Sequence, residues 1–381
     1  MEWITGKRDD SKKWIAQLGD PAKRAAAVNE LLRLGPAAVD GLLEALVGKD
    51  PNLQTMAAQL LVKIGRTGIP RLTQVLASAH PETRLQVADI LGEIRHPSAI
   101  PALLEAAHGE FFTVRARAAS ALAKIGDAQA VPVLIALLAD PEPEVRIAAA
   151  LALGKFKDPR SIVRLSDLLL EDREIEVRQA AAQALAETRL PQAIPYFIEA
   201  MADSFWWYER ENAAKPMLDS LERFGSEAVE PLIEALNNLE GTVRRSAAIV
   251  LGHIGDARAI EPLGMAVYDM HDEVGHAAAE SLTKFGAAAI NVLAEALKHP
   301  EAGIRLHAIW ALTRIKDARV LPLLADMHLD PDRHVQKQVV QSLGELGDPR
   351  ALTVLEPIAA NRADRELSML AREAMKALSL H

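Results

Sequence analysis

The sequence contains no cysteine, few aromatic residues and no long apolar segment. Without cysteine the chain has neither disulfides nor thiolate metal ligands, so a reducing compartment is expected. No apolar run approaches the ~18 residues that a membrane helix requires. The polar N-terminal residues 1–10 also lack the apolar core of a secretory signal. We therefore predict a soluble, cytoplasmic protein that has no membrane-spanning segment.

An excess of basic residues is also missing, because 43 Lys and Arg face 52 Asp and Glu, for a net charge of -9. The imbalance lies in residues 191–300, which carry 17 acidic and 8 basic side chains, whereas the segments on either side are balanced. A protein that binds duplex nucleic acid needs a basic stripe that displaces counterions from phosphates. The charge distribution therefore disfavours nucleic acid as a partner.

Motifs for catalysis or for cofactor binding are absent as well. The sequence has no Gly-x-Ser-x-Gly elbow and no Gly-x-x-x-x-Gly-Lys-Ser/Thr phosphate loop. Its last third is rich in histidine, yet no two histidines have the His-x-x-x-His spacing that places two imidazoles on one helix face. These histidines are His253, His271, His276, His299, His307, His328 and His334. We predict no catalytic residue, no metal site and no cofactor.

What the sequence does contain is a repeat. The segments that begin at Val114-Arg115, Val145-Arg146 and Val243-Arg244 share one pattern, and Arg115 and Arg146 are 31 residues apart. A fixed period of this length is typical of stacked supersecondary units, each of which cannot bury its apolar face alone. We predict an all-α solenoid of roughly twelve helical hairpins, forming one domain over residues 1–381.

Residues 126–156 illustrate the predicted unit. Gly126 ends one helix, Asp127 caps the next, and Pro132 lies in its first turn, where no N–H is needed. Asp140 and Pro141 then begin a second helix. Apolar residues follow at helical spacing in the first helix, at Val131, Leu134, Ile135 and Leu138. The second helix carries Val145, Ala148, Ala149, Ala152 and Leu153, whose small side chains allow close helix packing.

The pattern Asp-Pro-x-x-x-Val-Arg-x-x-Ala-Ala-x-x-Leu-Gly-x-Ile-Gly-Asp fits residues 140–158 and, without the proline, residues 240–256. It resembles the HEAT-like repeats of the E–Z type phycobiliprotein (bilin) lyases. The resemblance implies a right-handed superhelix whose second helices line the concave face. It also implies a lyase or chaperone that handles an open-chain tetrapyrrole, although no residue here matches a catalytic motif. HEAT-type hydroxylases carry iron-binding His-Glu pairs, and this sequence has no His-Glu dipeptide.

An arginine recurs at one position of the repeat. We predict that each arginine pairs with a nearby acid, such as Asp140 or Glu142 beside Arg146, and ties adjacent repeats together. The alternative is that the guanidinium groups line one edge and bind an anionic strand. The set, called here the arginine ladder, is Arg84, Arg115, Arg146, Arg178, Arg244 and Arg305.

The period is broken once, since 36 residues separate Arg178 from the equivalent Ala214. The extra residues fall in an aromatic insert, residues 203–211, and insertions of this kind often bind partners. Consecutive helical residues point about 100° apart, so at least one ring of the insert is expected to be exposed. The alternative is a plug that fills a kink. The predicted binding residues are Phe205, Trp206, Trp207, Tyr208, Glu209 and Arg210.

Together these features predict a non-enzymatic scaffold for protein–protein interaction. We expect its partner to bind on the concave face or at the aromatic insert. Because carboxylates surround the insert, a partner with a basic surface is favoured. Two alternatives stay open, namely a bilin lyase or chaperone, and a nucleic-acid-binding protein similar to the HEAT-like DNA glycosylases.

Overall fold

The structure is a computed structural model that describes the backbone of residues 2–203, 206 and 214–378, and the side chains from Asp10 onward within these ranges. Every regular element in this part of the chain is a helix. The chain divides into two compact units, residues 1–193 and 194–381, called here the N-terminal and C-terminal units. The predicted all-α solenoid is thus confirmed. A single domain spanning residues 1–381 stays a prediction.

The N-terminal unit contains α1 (Glu2–Gln17), α2 (Arg24–Leu34), α3 (Val39–Leu46), α4 (Pro51–Ile64), α5 (Ile69–Ser78), α6 (Pro81–Ile94), α7 (Ile100–Ala107), α8 (Phe112–Ile125), α9 (Val131–Leu137), α10 (Pro143–Phe156), α11 (Ile162–Glu171) and α12 (Ile175–Thr188). The C-terminal unit contains α13 (Ile194–Ala200), α14 (Lys215–Glu222), α15 (Val229–Ala235), α16 (Gly241–Ile254), α17 (Ile260–Ala266), α18 (Asp272–Thr283), α19 (Ile290–Ala296), α20 (Ala302–Ile315), α21 (Val320–Ala325), α22 (Arg333–Glu345), α23 (Leu352–Ala360) and α24 (Arg365–Leu378). Within each unit every odd-numbered helix packs against the even-numbered helix that follows it, and successive even-numbered helices also pack against one another.

The turn between α8 and α9 follows the predicted chemistry. Gly126 has a φ of +76°, and its N–H donates to the carbonyl of Leu122 at 3.0 Å, so it ends α8 in the left-handed region that favours glycine. The Asp127 carboxylate accepts from the N–H of Gln129 at 2.9 Å. It therefore caps a short 3₁₀ turn, residues 128–130, that leads directly into α9.

The second helix of this repeat begins later than the sequence predicts. Its first residue is Pro143, and the residue before it, Glu142, has no capping side chain. Asp140 instead accepts from the N–H of Glu142 at 3.0 Å, which makes a turn ahead of the helix. The prediction was correct at Asp50, whose carboxylate accepts from the two N–H groups that begin α4. At Asp140 and at Asp50 the Asp-Pro pair therefore marks the turn, but only at Asp50 does its proline begin the α-helix.

Small residues allow neighbouring second helices to approach closely. A Cβ added to Gly154 of α10 would lie 2.9 Å from the Cα of Ala184 in α12, and one added to Gly92 of α6 would lie 2.9 Å from the Cα of Ala121 in α8. Separations this short leave no room for a methyl group. The alanine-rich and glycine-containing second helices are thus explained by backbone proximity. None of the described helices combines the length and apolarity that crossing a membrane requires.

Candidate protein-interaction surfaces

The ladder arginines join consecutive repeats. Nε and Nη2 of Arg146, on α10, donate to the two carboxylate oxygens of Asp172 at 2.7 and 3.0 Å. Its Nη1 donates to the backbone carbonyls of Asp140 and Pro141 at 2.9 and 3.1 Å. One guanidinium therefore closes the loop of its own repeat and holds the loop of the next repeat.

The carboxylate partner is not the one that the sequence suggests. Neither the Asp140 carboxylate nor Glu142 pairs with Arg146, because Asp140 offers that arginine only its backbone carbonyl. The Asp140 carboxylate instead accepts from Arg115 of the preceding repeat. The same two-pronged contact, with distances of 2.6–2.9 Å, joins Arg115 to Asp140, Arg244 to Asp269 and Arg305 to Asp330.

The carboxylates of Asp140 and Asp269 are held in the ionised state. Burial opposes ionisation of Asp140 and Asp269, but hydrogen bonds from Arg115 and Arg244, together with backbone N–H groups, outweigh it and lower the pKa of both carboxyls. The paired side chains are largely buried, as in the Arg305–Asp330 pair, where they are 7% and 5% exposed. These guanidinium groups are therefore used within the protein and do not form an open edge for an anionic strand.

The two remaining ladder arginines, Arg178 and Arg84, differ from each other. Arg178 is buried, and its Nε donates to the backbone carbonyl of Asp172 at 2.6 Å. Arg84 has a buried Nε with no hydrogen-bond partner. The residue that faces it, 25 positions ahead, is Gly109 rather than an aspartate. The predicted acid is therefore missing at Arg84.

Of the predicted binding residues in the aromatic insert, Trp206 lies inside the protein. Its side chain is 1% exposed, so it does not contribute to a binding surface in this structure. Nearby, Phe197 is fully buried and packs edge-on against Phe224, with ring centroids 5.8 Å apart. These rings fill the core of the C-terminal unit. The other predicted residues, Phe205, Trp207, Tyr208, Glu209 and Arg210, lie outside the described residues.

An exposed apolar pair lies at the start of two successive second helices. Leu239, in the loop before α16, is 95% exposed, and Met270, in the loop before α18, is 89% exposed. The two residues occupy equivalent positions of consecutive repeats. Between the first turns of α16 and α18 lies a groove of about 620 Å³, called here the α16–α18 groove. It is lined by Glu240, Gly241, Thr242, Arg245, His271, Asp272, Glu273 and Val274.

A ladder contact sets the geometry of this groove. Nη1 of Arg244 donates to the carbonyl of Leu239 at 3.0 Å, while its Nε and Nη2 hold the carboxylate of Asp269. One guanidinium thus connects the two loops that carry Leu239 and Met270. The loop that carries Met270 is further fixed by Asp269, which accepts from the N–H of His271 at 2.8 Å. Sequence reasoning missed this site. A signal was present, since Leu239 and Met270 each directly follow the residue whose side chain accepts a backbone N–H within its loop.

Histidines that look isolated in the sequence come together on α18 and α20. The rings of His276 and His307 lie 5.6 Å apart, and His276 also packs against Trp310 at 4.9 Å. Arg314 also stacks on Trp310, with its guanidinium carbon 3.8 Å from the ring centroid. Nε2 of His307 lies 3.2 Å from a carboxylate oxygen of Asp272. Nowhere in the described residues do three metal-ligating side chains converge.

Comparison with known proteins places this architecture. The family model for HEAT repeats matches residues 69–141, 131–217, 215–283, 260–331 and 290–376. Kap121p bound to Pho4p is a similar solved structure, with a TM-score of 0.58 at 13% identity over 99% of this chain and 50% of that one. Kap95p, solved with RanGDP, has a TM-score of 0.53 at 12% identity over 94% of this chain and 58% of that one. This chain therefore spans about half the length of Kap121p.

The complex of CpcE and CpcF, the phycocyanin lyase of Nostoc sp. PCC7120, is similar over 59% of this chain and 92% of its own, at 25% identity and a TM-score of 0.36. That score is too low to support an argument about activity. The similarities to Kap121p and Kap95p, at 13 and 12% identity, establish the fold alone. No curated protein sequence matches the chain.

Proposed function

The chain belongs to the HEAT-repeat family, and we propose that it is a scaffold that binds another protein through the α16–α18 groove. The partner would contribute a segment in which apolar and basic side chains are combined. The observation that carries this proposal is the pair Leu239 and Met270, which are 95% and 89% exposed and directly precede Glu240 and His271, two residues that line an acidic groove.

Apolar exposure supports a binding role for this edge. Single exposed apolar residues are common on protein surfaces, but adjacent ones that flank a concave site are typical of interaction surfaces. Here two large flexible side chains project from loops that Arg244 holds in place. A surface that is fixed before association loses less conformational entropy when a partner binds.

Charge supports a basic segment. Glu240, Asp272 and Glu273 line the groove, and the basic side chains facing them are Arg245 and His271. With histidine neutral, the groove has a net negative charge, in keeping with the acidic excess of residues 191–300. Opposite charges favour encounter and select against acidic partners. Kap121p, which has the same fold, has been solved bound to Pho4p and to the extreme C-terminus of Cdc14p, so a solenoid of this kind can bind protein segments.

The test uses labelled peptides and fluorescence anisotropy. A dodecapeptide that alternates lysine and leucine represents the proposed segment, and counterparts with glutamate for lysine, or serine for leucine, separate charge from apolar contact. We expect the lysine–leucine peptide to bind at least tenfold tighter than either counterpart. We also expect its affinity to fall as salt is added, because exposed charges are screened.

Three variants define where the peptide binds. Leu239→Ser combined with Met270→Ser removes the apolar pair, and Asp272→Asn combined with Glu273→Gln removes two groove charges. Each double variant should weaken binding at least tenfold. Met265→Ser is the matched control, because Met265 is 71% exposed on α17 and, unlike Leu239 and Met270, is not next to a groove-lining residue in the sequence. Equal affinity for the parent chain and both double variants would exclude this groove as the binding site.

A further inference from the structure

The place where the arginine ladder lacks its aspartate has the chemistry of a carboxylate-binding site. In the following repeat, the carboxylate of Asp140 accepts from three donors: Nε and Nη2 of Arg115, and the backbone N–H of Glu142. One repeat earlier the corresponding residues are Arg84, Gly109 and Phe111. The donors remain, but glycine has no carboxylate to receive them.

The donors at this place have no partner in the described part of the chain. Nε of Arg84 is buried without a hydrogen bond, and the backbone N–H of Phe111 makes none either. A Cβ added to Gly109 would lie 3.4 Å from Nη2 of Arg84, so the guanidinium faces the position that an aspartate side chain occupies in other repeats. Leaving a buried charged donor unsatisfied is costly, and a carboxylate is the group that would relieve this cost.

The loop that presents these donors is fixed. Nη1 of Arg115 donates to the carbonyls of Gly109 and Glu110 at 3.0 and 2.9 Å. The guanidinium groups of Arg84 and Arg115 therefore both contact this loop. Arg115 is already paired with Asp140, so the charge that favours an anion there is that of Arg84, which forms no ion pair within the described residues. Glu110 is exposed in the same loop, and its negative charge would repel additional acids. The site therefore favours a single carboxylate over a cluster of acids.

Two aromatic side chains beside the site indicate what carries the carboxylate. Phe111 and Phe112 are 40% and 39% exposed directly after the loop. Exposed aromatic rings next to an arginine are typical of protein-binding sites. We propose that Arg84, Gly109 and Phe111 bind the carboxylate of an aspartate or glutamate in a partner protein, with an apolar neighbour packed on the two phenylalanines. This site lies in the N-terminal unit and is independent of the α16–α18 groove.

The test again uses fluorescence anisotropy, with a fluorescein-labelled, amidated pentapeptide in which one aspartate stands between two leucines. The same peptide with asparagine in place of aspartate is the neutral control. We expect the aspartate peptide to bind at least tenfold tighter, because a two-pronged guanidinium–carboxylate contact requires the charge. Equal binding of the two peptides would overturn the proposal.

Substitutions at Gly109 and Arg84 provide a second test, because two of them should weaken peptide binding and one should leave it unchanged. Gly109→Asp supplies the carboxylate from the chain itself, so it should weaken peptide binding at least tenfold while raising the midpoint of thermal unfolding. Gly109→Ala adds only a methyl group and should keep the affinity of the parent chain. Arg84→Gln should lose peptide binding. Parent-like affinity in Gly109→Asp or in Arg84→Gln would refute the assignment.

Competition distinguishes a protein carboxylate from a small one. If the phenylalanines contribute, sodium acetate should displace the aspartate peptide only at concentrations at least a hundredfold above the dissociation constant of the peptide. Displacement by acetate at concentrations near that constant would mean that the site takes any carboxylate, and the proposal of a protein partner would then fail.

Discussion

Removing one charge from the Arg305–Asp330 pair tests whether the ladder stabilises the fold. We predict that Asp330→Asn destabilises the C-terminal unit by about 3 kcal/mol, since breaking a buried ion pair from one side costs roughly 3–5 kcal/mol. The lower end applies because asparagine can still accept from the N–H of Asp332, a contact of 2.8 Å. Arg305 also keeps its hydrogen bonds to the carbonyls of His299 and Pro300.

The matched control is the same change at an exposed pair of the neighbouring loop. Asp317 pairs with Arg319, whose side chain is 60% exposed, and it accepts from the N–H of Arg319 at 2.9 Å. Asp317→Asn keeps that backbone contact and loses only an exposed ion pair, which typically contributes little. We therefore expect the urea midpoint of Asp317→Asn to equal that of the parent chain within experimental scatter.

Urea unfolding and hydrogen exchange together provide the readout. In a repeat protein, stability is the sum of individual repeats and the interfaces between nearest neighbours. The loss in Asp330→Asn should therefore appear first as weaker amide protection in α20 and α22, on either side of the broken contact. Identical urea midpoints for the two variants would refute the idea that the ladder holds repeats together. So would unchanged protection in these helices.

Three further predictions concern packing, pH and the insert. Gly154→Ala should destabilise the chain by about 1–3 kcal/mol in urea unfolding, because its methyl group would meet Ala184. Gly303→Ala should instead stabilise it by about 0.5–1 kcal/mol, because its methyl group would meet only a carboxylate oxygen of Asp272 at 3.9 Å, an ordinary van der Waals distance. Burial lowers the pKa of His307, so the unfolded chain binds this proton more tightly. Stability should then fall as pH drops below about 6.5, and urea midpoints measured from pH 7.5 to 5 should change less in His307→Gln. Trp206→Ala should cost about 3–5 kcal/mol, as truncation of a buried tryptophan does, and an unchanged midpoint of thermal unfolding would contradict its burial.

The fold was predictable because the same pattern of helix-forming and helix-ending residues recurs in many repeats of the sequence. A cap or a glycine that is ambiguous in one repeat becomes clear when the pair Gly126 and Asp127 recurs as Gly255 and Asp256 and as Gly347 and Asp348. The start of α10 was misplaced by two residues because Asp140 was interpreted through local capping rules alone. Its carboxylate in fact serves two purposes, a turn within its own loop and a contact with Arg115. Local spacing cannot reveal the second of these.

The candidate sites were harder to predict because they depend on contacts between repeats. Arg146 and its partner Asp172 are separated by 26 residues, so nothing in the neighbourhood of either residue identifies the other. The aromatic insert is predicted to bind a partner because it breaks the period of the repeat, yet Trp206 is buried there. Exposure of Leu239 depends on how its loop is held by Arg244, which composition and periodicity do not report.

Repeats that depart from the arginine–aspartate pairing are more informative about binding than the repeats that keep it. An arginine followed about 25 residues later by an aspartate forms a closed contact at Arg115, Arg146, Arg244 and Arg305, so the charges of these pairs are already used within the protein. The Gly109 position breaks the rule by keeping the arginine and omitting the acid. Arg84 and the backbone N–H of Phe111 are retained there, so loss of the aspartate leaves these donors available. In a chain built by repetition, comparing equivalent positions across repeats therefore locates candidate binding sites that a search for motifs does not find.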